Sequence, residues 1–436
     1  MAKSQQASVP SSRFGRFARV AKLAGGVASG MLAEGSRRLR EGERPRARDM
    51  LLTPANAQRV ADELANMRGA AMKLGQMLSM DGGEFLPRQL ADILARLRDE
   101  ADYMPFEQLN ETMTEAYGDE WEAMFYGFDY RPIAAASIGQ VHRTRSPDGR
   151  DIVLKVQYPG VARSIDSDID NIAALLKLSG LVPDNIDMKP LLKDGKAQLH
   201  DEANYLLEAE HLRTFGELLA EDQRFIVPEL LPELTTEHVL AMTYIESQPI
   251  DVIAELDQDT RNALVTAMMD LMLREFFELR LVQTDPNFAN YRYQSGSGRL
   301  VLLDFGATRK FKAAFVNQYR RMVRAAQKGQ EDRLLDAAGR LGYVVGDGSD
   351  EYRDFVLSIF DIALEPLTCD GPYDFGSSDI SARLAEIGAS ARDFREFWHA
   401  PPSEAVFFHR KVGGIFLLAQ RMEATVDVRG LAEQYL

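Results

Sequence analysis

Two aspartates and an asparagine within one short stretch, Gln283 to Gly306 (QTDPNFANYRYQSGSGRLVLLDFG), are the residues of this chain whose types and spacing best suit chemistry. Asp285 is followed five residues later by Asn290, and after a short hairpin Asp304 heads the tripeptide Asp304-Phe305-Gly306. Carboxylate and amide oxygens in this order form the layout of a phosphoryl-transfer site. The first Asp orients an attacking hydroxyl, while the Asn and the second Asp hold magnesium ions that neutralise the phosphates. An isolated Asp-Phe-Gly is common by chance and a single Asp-Pro is only a turn. The weight of the stretch depends on a phosphate anchor elsewhere in the chain.

The elements that would position such an anchor begin near Phe128, where the pattern changes from helical towards alternating. Ile133 to Thr144, then the turn Ser146-Pro147-Asp148-Gly149, then Asp151 to Gln157 read as three strands of an antiparallel sheet. Lys155, between Leu154 and Val156, has the setting of the strand lysine that holds the α and β phosphates in protein kinases. Ala134, Ala135, Ala136 and Ser137 lie ahead of it, where kinases carry a glycine-rich loop. Small side chains there let backbone N–H groups approach an anion, and Ala permits this less freely than Gly. Taken alone the lysine is weak evidence, because edge strands often carry Lys as a guard.

Residues 196 to 220 read as a strong helix, with Glu202 and Glu208 close to two turns apart. Glu208 is the expected partner of Lys155, and Glu202 is left to meet another cation. Val227 to Leu230 and Glu237 to Ile245 read as two more strands, and Glu246 to Pro249 as a hinge. Thr260 to Leu281 is expected to be a long apolar helix that delivers the chain to Gln283. Asp285 precedes Pro286 and is held out of the helical region, and the hairpin brings Asn290 and Asp304 together as magnesium ligands. Lys155, Glu208, Asp285, Asn290 and Asp304 thus occur together in kinase order, which is far more specific than any one of them. After Gly306 the chain runs into helix without an Ala-Pro-Glu segment, so the platform that holds a peptide substrate is missing. The remainder reads as helical, with turns at 342–348 and 401–402.

Composition narrows the setting. At 436 residues the chain can bury a large core and accommodates two or three domains. One cysteine, Cys369, allows no internal disulfide, and the six histidines are too scattered for a zinc cluster. The net charge of -15 is uneven: residues 1 to 50 carry 11 Lys+Arg against 4 Asp+Glu, and the rest 40 against 62. An acidic body argues against nucleic acid as a partner, whereas a basic tail suits an anionic phospholipid surface. No apolar run approaches the ~18 to 20 residues that span a bilayer.

In the tail, Phe14, Phe17, Ala21, Ala24, Ala28 and Met31 fall on one face of a helix, with Arg16, Arg19 and Lys22 to the sides. Packing of that helix on the protein's own body is as strong an expectation as membrane contact. Residues 35 to 50 read as a charged linker. From Thr53-Pro54 to Met80 the pattern is helical, and it holds Met72-Lys73-Leu74-Gly75-Gln76, where Lys73 and Gln76 share a face. By residue type alone Lys73 is a solvated helix lysine. More helix follows at 87–98 and 106–117.

These residues together resemble the UbiB-type atypical kinases, the kinase-like proteins of ubiquinone (coenzyme Q) biosynthesis, over about residues 9 to 436. The matching pieces are VPSSRFGR near the start, MKLGQ at 72–76, AAASIGQVHR at 134–143, VLKVQYPG at 153–160, EANYLLEA at 202–209, QTDPNFANY at 283–291 and LLDFGATR at 302–309. The QTDPN form is similar to the mitochondrial and alphaproteobacterial branch. The resemblance implies an α+β, protein-kinase-like bilobal fold that binds ATP or ADP with Mg2+. It implies an N-terminal helical extension carrying Lys73 and Gln76 that covers the active site, with Lys73 facing Glu202. It also implies an alanine-rich loop that alters nucleotide preference, and a membrane-bound ATPase supporting quinone biosynthesis.

The expected boundaries are a tail and linker at 1–50, the helical extension at 51–125, a kinase-like first lobe with a helical insertion at 126–247 and a helical second lobe at 248–436. Expected partners are nucleotide, anionic phospholipid, and quinone-biosynthesis enzymes or a lipid-like quinone precursor, with a homodimer also in view and no nucleic acid. Asn204 departs from the family's Glu-x-Asp pair, which reads Glu202-Ala203-Asn204 here. VPSSR begins nine residues from Met1, leaving a tail shorter than a usual presequence. A bacterial protein on the cytoplasmic membrane face is therefore expected, with the mitochondrial matrix as the alternative.

Overall fold

The computed structural model describes residues 103–178, 189–285, 287–344, 349–390 and 403–436. The tail, the linker and the helical block with Lys73 and Gln76 lie outside them. The chain divides into two compact units, Met1–Arg213 with Glu229–Tyr244 and Thr214–Pro228 with Ile245–Leu436.

In the first unit, helix α1 (Phe106–Tyr117) buries Leu109, Thr112 and Met113. It precedes strands β1 (Ala134–Ala135), β2 (Gly139–Arg145) and β3 (Asp151–Gln157), then helices α2 (Val161–Leu178), α3 (Lys189–Glu202) and α4 (Tyr205–Leu218). The unit boundary falls inside α4. Strand β4 (Phe225–Ile226) belongs to the second unit, and β5 (Val239–Thr243) returns to the first. The sheet order is β1-β2-β3-β5, so β3 is central. Alternation along β3 sends Ile152, Leu154 and Val156 to the face where Leu109, Met113, Trp121, Phe125, Val239 and Ala241 pack. Each such buried side chain contributes about 1.5–3 kcal/mol. Lys155 projects from the opposite face with Val153 and Gln157. With β2 and β5 on either side and 8% exposure, it is no edge guard.

The structure corrects three of the expected elements. Residues 196 to 220 are not one helix: α3 ends at Glu202 and α4 starts at Tyr205, so Glu202 and Glu208 sit on different helices. The physical reason is Asn204, whose side chain accepts from Leu207 N at 3.1 Å and caps the start of α4. The strand expected at Val227 lies two residues earlier, as β4, and pairs in parallel with β9 (Arg299–Leu302) of the second unit. The helix expected over Thr260–Leu281 runs as α5 (Gln258–Leu273), and is followed by a π-helical turn at Arg274–Leu279. Arg280, at φ 53°, ends it in the left-handed conformation, and strand β7 (Leu281–Gln283) begins at once.

In the second unit, β6 (Gln248–Pro249) and the hairpin β8 (Tyr291–Gln294) and β9 complete a sheet ordered β4-β9-β8-β6. Strand β10 (Thr308–Lys310) pairs antiparallel with β7, Thr308 opposite Gln283. Helices α6 (Ala313–Gln327), α7 (Glu331–Arg340), α8 (Asp350–Ala363), α9 (Glu365–Thr368), α10 (Ile380–Ser390), α11 (Ser403–Arg421) and α12 (Val428–Glu433) make up most of the rest, as the sequence pattern leads one to expect. No helix among the described residues is long and apolar enough to cross a membrane.

Candidate active site

Lys155, Glu202 and Glu208 lie in the first unit. Lys155 Nζ lies 2.7 and 2.9 Å from the two carboxylate oxygens of Glu208, the pairing expected from the sequence. Glu208 is 1% exposed and stands in the first turn of α4, where the helix dipole favours a carboxylate. The Asn204 cap fixes that turn, and Gln157 ties the break before it to the sheet by donating to Ala203 O at 2.9 Å. The Lys155 ammonium also lies 5.4 Å from the centre of the Tyr205 ring. A lysine so held presents one fixed cation, the point charge that an anionic phosphate needs.

The small-residue loop lies in the same unit. Ala134 and Ala135 form β1 and are exposed, Ala136 N donates to Gly139 O at 2.9 Å, and Ser137 Oγ donates to Glu202 Oε2 at 2.9 Å. Glu202 thus meets the loop, while its expected partner Lys73 lies outside the described residues. Gly139 is required by contact: a Cβ there would sit 2.4 Å from Val156 O and 2.8 Å from Tyr205 Oη. Behind the loop, His142 is fully buried, its Nδ1 2.7 Å from Asp129 O and its Nε2 2.8 Å from Gln140 Nε2. Burial pushes its pKa below the ordinary 6.5, against the opposing bond to Asp129, and the ring is neutral.

Asp285, Asn290 and Asp304 lie in the second unit. Asn290 Nδ2 donates to Asp285 Oδ2 at 3.2 Å, and both residues are buried. A short 3-10 turn capped by Asn287 sets Asn290, and Leu303 N donates to Asn290 O at 3.0 Å. That last bond brings Asn290 beside the backbone leading into Asp304. Asp304 Oδ1 accepts from Gly306 N at 3.0 Å. Phe305, 2% exposed, packs on Phe215 with ring centres 4.8 Å apart. Thr284 donates to Ala307 O from both its N–H, at 3.1 Å, and its hydroxyl, at 2.7 Å. The segment before Asp285 is thereby fastened to the segment after Gly306.

Residues that sequence pattern did not single out support this second cluster. Lys411 on α11 and Glu275 on the π-helical turn form an ion pair of 3.1 Å, each side chain 2% exposed, and Lys411 donates to Tyr291 Oη at 3.0 Å. Burial raises the Glu275 carboxyl while burial alone would lower the Lys411 ammonium. Both effects of burial favour the neutral pair, and the attraction between the two charges opposes them. Lys411 is held above its ordinary pKa by Glu275 and Tyr291, which both lie within hydrogen-bonding reach of its Nζ. The available signal was a Lys within a largely apolar helical run, FFHRKVGGIFLL, and a Glu within another, LMLREFFEL.

A central-strand lysine paired with a helix glutamate, and an Asp, Asn and Asp-Phe-Gly set on a hairpin, define the class of a protein-kinase-like phosphotransferase fold. A model of the ABC1 atypical kinase-like domain matches residues 96–338, more than half of the chain. The chain belongs to this family. It is 36% identical to the atypical kinase coq-8, mitochondrial, of Caenorhabditis elegans over 99% of its length, and spans 58% of that protein. It is 38% identical to the atypical kinase COQ8B, mitochondrial, of Rattus norvegicus, covering 98% of this chain and 81% of that one. With the atypical kinase COQ8, mitochondrial, of Saccharomyces cerevisiae the identity is 36%, covering 99% and 86%. Among solved structures, the Mycobacterium tuberculosis protein Rv3197, in its erythromycin complex, shares the fold at TM-score 0.60 and 21% identity, covering 86% of this chain and 93% of that one. The fold is α+β and kinase-like.

Proposed function

We propose that the protein binds ATP or ADP with Mg2+ and supports ubiquinone biosynthesis at a membrane, by ATP hydrolysis or by phosphorylating a small or lipid-like acceptor. The Lys155–Glu208 ion pair is the observation that carries this reading: a buried cation on a central strand, fixed by a helix-borne carboxylate. Lys155 would hold the phosphates, beneath the loop Ala134 to Ser137. Asp285 would accept the proton of the attacking hydroxyl or water, steadied by Asn290.

The donor chemistry fits magnesium. Because Asn290 Nδ2 is committed to Asp285, its Oδ1 is left as a hard-oxygen ligand beside the carboxylate of Asp304. Among the described residues no group of three or more His, Cys, Asp or Glu could hold a metal, and Mg2+ needs only one or two protein oxygens when phosphates supply others. When bound with nucleotide, the ion would neutralise phosphate charge. Lys73 and Gln76 keep the covering role that the resemblance implies, and Glu202 the place at which Lys73 would arrive.

The test is Mg2+-dependent ATP turnover by wild type and Asp304→Asn. The substitution is expected to abolish turnover, and equal rates in the two proteins would sink the reading.

A second reading, a nucleotide-gated scaffold for quinone-biosynthesis enzymes, is favoured by one observation. After Gly306 the chain turns straight into β10 on β7 and enters α6 at Ala313, with no length for a peptide platform. This also disfavours protein kinase activity. Quinone levels in a deletion strain complemented by Asp285→Asn separate the two readings: rescue favours the scaffold. The membrane role rests on the tail and is tested by flotation with anionic liposomes, with and without residues 1–33. The relatives' names place those proteins in mitochondria, which supports the mitochondrial alternative over a bacterial membrane face.

A further inference from the structure

The loop carrying Asp285 and Asn290 has two ends, and a single buried cation reaches both. At its far end, Tyr291 directly follows Asn290 and accepts from Lys411 Nζ at 3.0 Å. At its near end, Gln283 lies two residues before Asp285. Thr284 donates to Ala307 O on the segment entering β10, so the N–H of Gln283, one residue earlier, points to the opposite edge of the ribbon. The turn carrying Glu275 packs against β7, where the Gln283 amide helps keep the Glu275 carboxyl ionised, and Lys411 pairs that carboxylate at 3.1 Å.

Neither charge is placed by accident of surface. The π-helical turn at Arg274–Leu279 carries Glu275 buried, and such turns are frequent at functional sites. The rings of Phe276 and Phe408 stack with centres 3.6 Å apart, locking that turn against α11 three residues before Lys411. A buried ion pair is weak evidence for stability, since desolvation offsets much of the attraction, and its better-attested use is to specify one arrangement.

We propose that Lys411 and Glu275 are positioning residues that hold the Gln283–Tyr291 loop at both ends, and thereby set Asp285 and Asn290 for chemistry. The inference rests on the phosphoryl-transfer reading of that loop. Truncating one partner strands the other's charge and unfolds protein for trivial reasons, whereas replacing both with apolar residues of similar volume is commonly neutral to stability. The variant to make is therefore Glu275→Leu/Lys411→Met in the full chain, with Tyr291→Phe as a milder cut of one tether.

The expected result is a melting temperature close to wild type and kcat for ATP lowered about tenfold or more, the scale of loss when a catalytic group is misplaced by around an ångström. KM for ATP should change little, because the phosphate anchor is in the first unit. Mn2+ bound with ADP, read by electron paramagnetic resonance, should weaken, and backbone hydrogen exchange at 283–291 should quicken. Tyr291→Phe should give an intermediate loss. Wild-type kcat in the stably folded double variant overturns the proposal. If wild type itself turns over no ATP, the phosphoryl-transfer reading has failed, and unchanged Mn2+ affinity and unchanged exchange at 283–291 then overturn the anchor independently.

Discussion

Asn290 donates from Nδ2 to Asp285 Oδ2 at 3.2 Å, so the residue that would hold a metal also orients the residue that would act as base. One hydrogen bond joins two roles, and its loss should be felt in rate before it is felt in binding.

Asp285→Asn removes the proposed proton acceptor while keeping shape and the partner amide. Turnover should fall by about 10²- to 10⁴-fold, the usual span for a positioned general base. Affinity for ADP, measured by calorimetry, should stay near wild type. Weakened ADP binding of the same size would mean that Asp285 serves in binding.

Lys155→Met leaves Glu208 buried at 1% exposure without its cation. Stability should fall by about 3–5 kcal/mol and nucleotide binding should be lost. Lys155→Met/Glu208→Leu should recover most of the stability in urea unfolding and none of the binding. Restored binding would detach the pair from the phosphates.

Asn204 caps α4 through Leu207 N at 3.1 Å. Asn204→Ala should cost about 1 kcal/mol, and Asn204→Asp, which caps as well, close to nothing. Since the capping oxygen is already engaged, the added carboxylate should leave ATP turnover unchanged. A rise in turnover on Asn204→Asp would restore a metal role at this position.

His142 is buried neutral, with its pKa held below 6.5 chiefly by burial. The unfolded chain therefore binds a proton more readily than the native one below about pH 6.5, and native stability is full above that value. Stability should fall as pH drops below it, with a limiting slope of about 1.4 kcal/mol per pH unit for one group. Urea unfolding between about pH 7.5 and 5.5 reads the slope, and His142→Gln should flatten it.

The candidate site was legible because its placement depends on residue types at short range. Asp285, Asn290 and Asp304 are fixed by a loop and a hairpin that the sequence punctuates with Pro, Asn and Gly. Lys155 follows from alternation along one strand, and Glu208 from helical periodicity. The elements that escaped depend on contacts over long separations. Nothing local shows that Asn204 would cap a new helix rather than continue an old one, since Asn is tolerated in both settings. The short β4 owes its position to pairing with β9, some 75 residues away in sequence. Lys411 and Glu275 lie 136 residues apart, and each alone reads as a surface charge on a helix.

The fastening of β10 onto β7 has a consequence for regulation. In many kinases the segment after Asp-Phe-Gly is a long loop whose ordering by phosphorylation switches the enzyme on. Here Thr284 grips Ala307 and the strand that follows is already paired, so no slack chain is left from which to build that switch. The Asp304 segment stands already dressed for the work proposed for it, and control would fall on what is allowed to reach it.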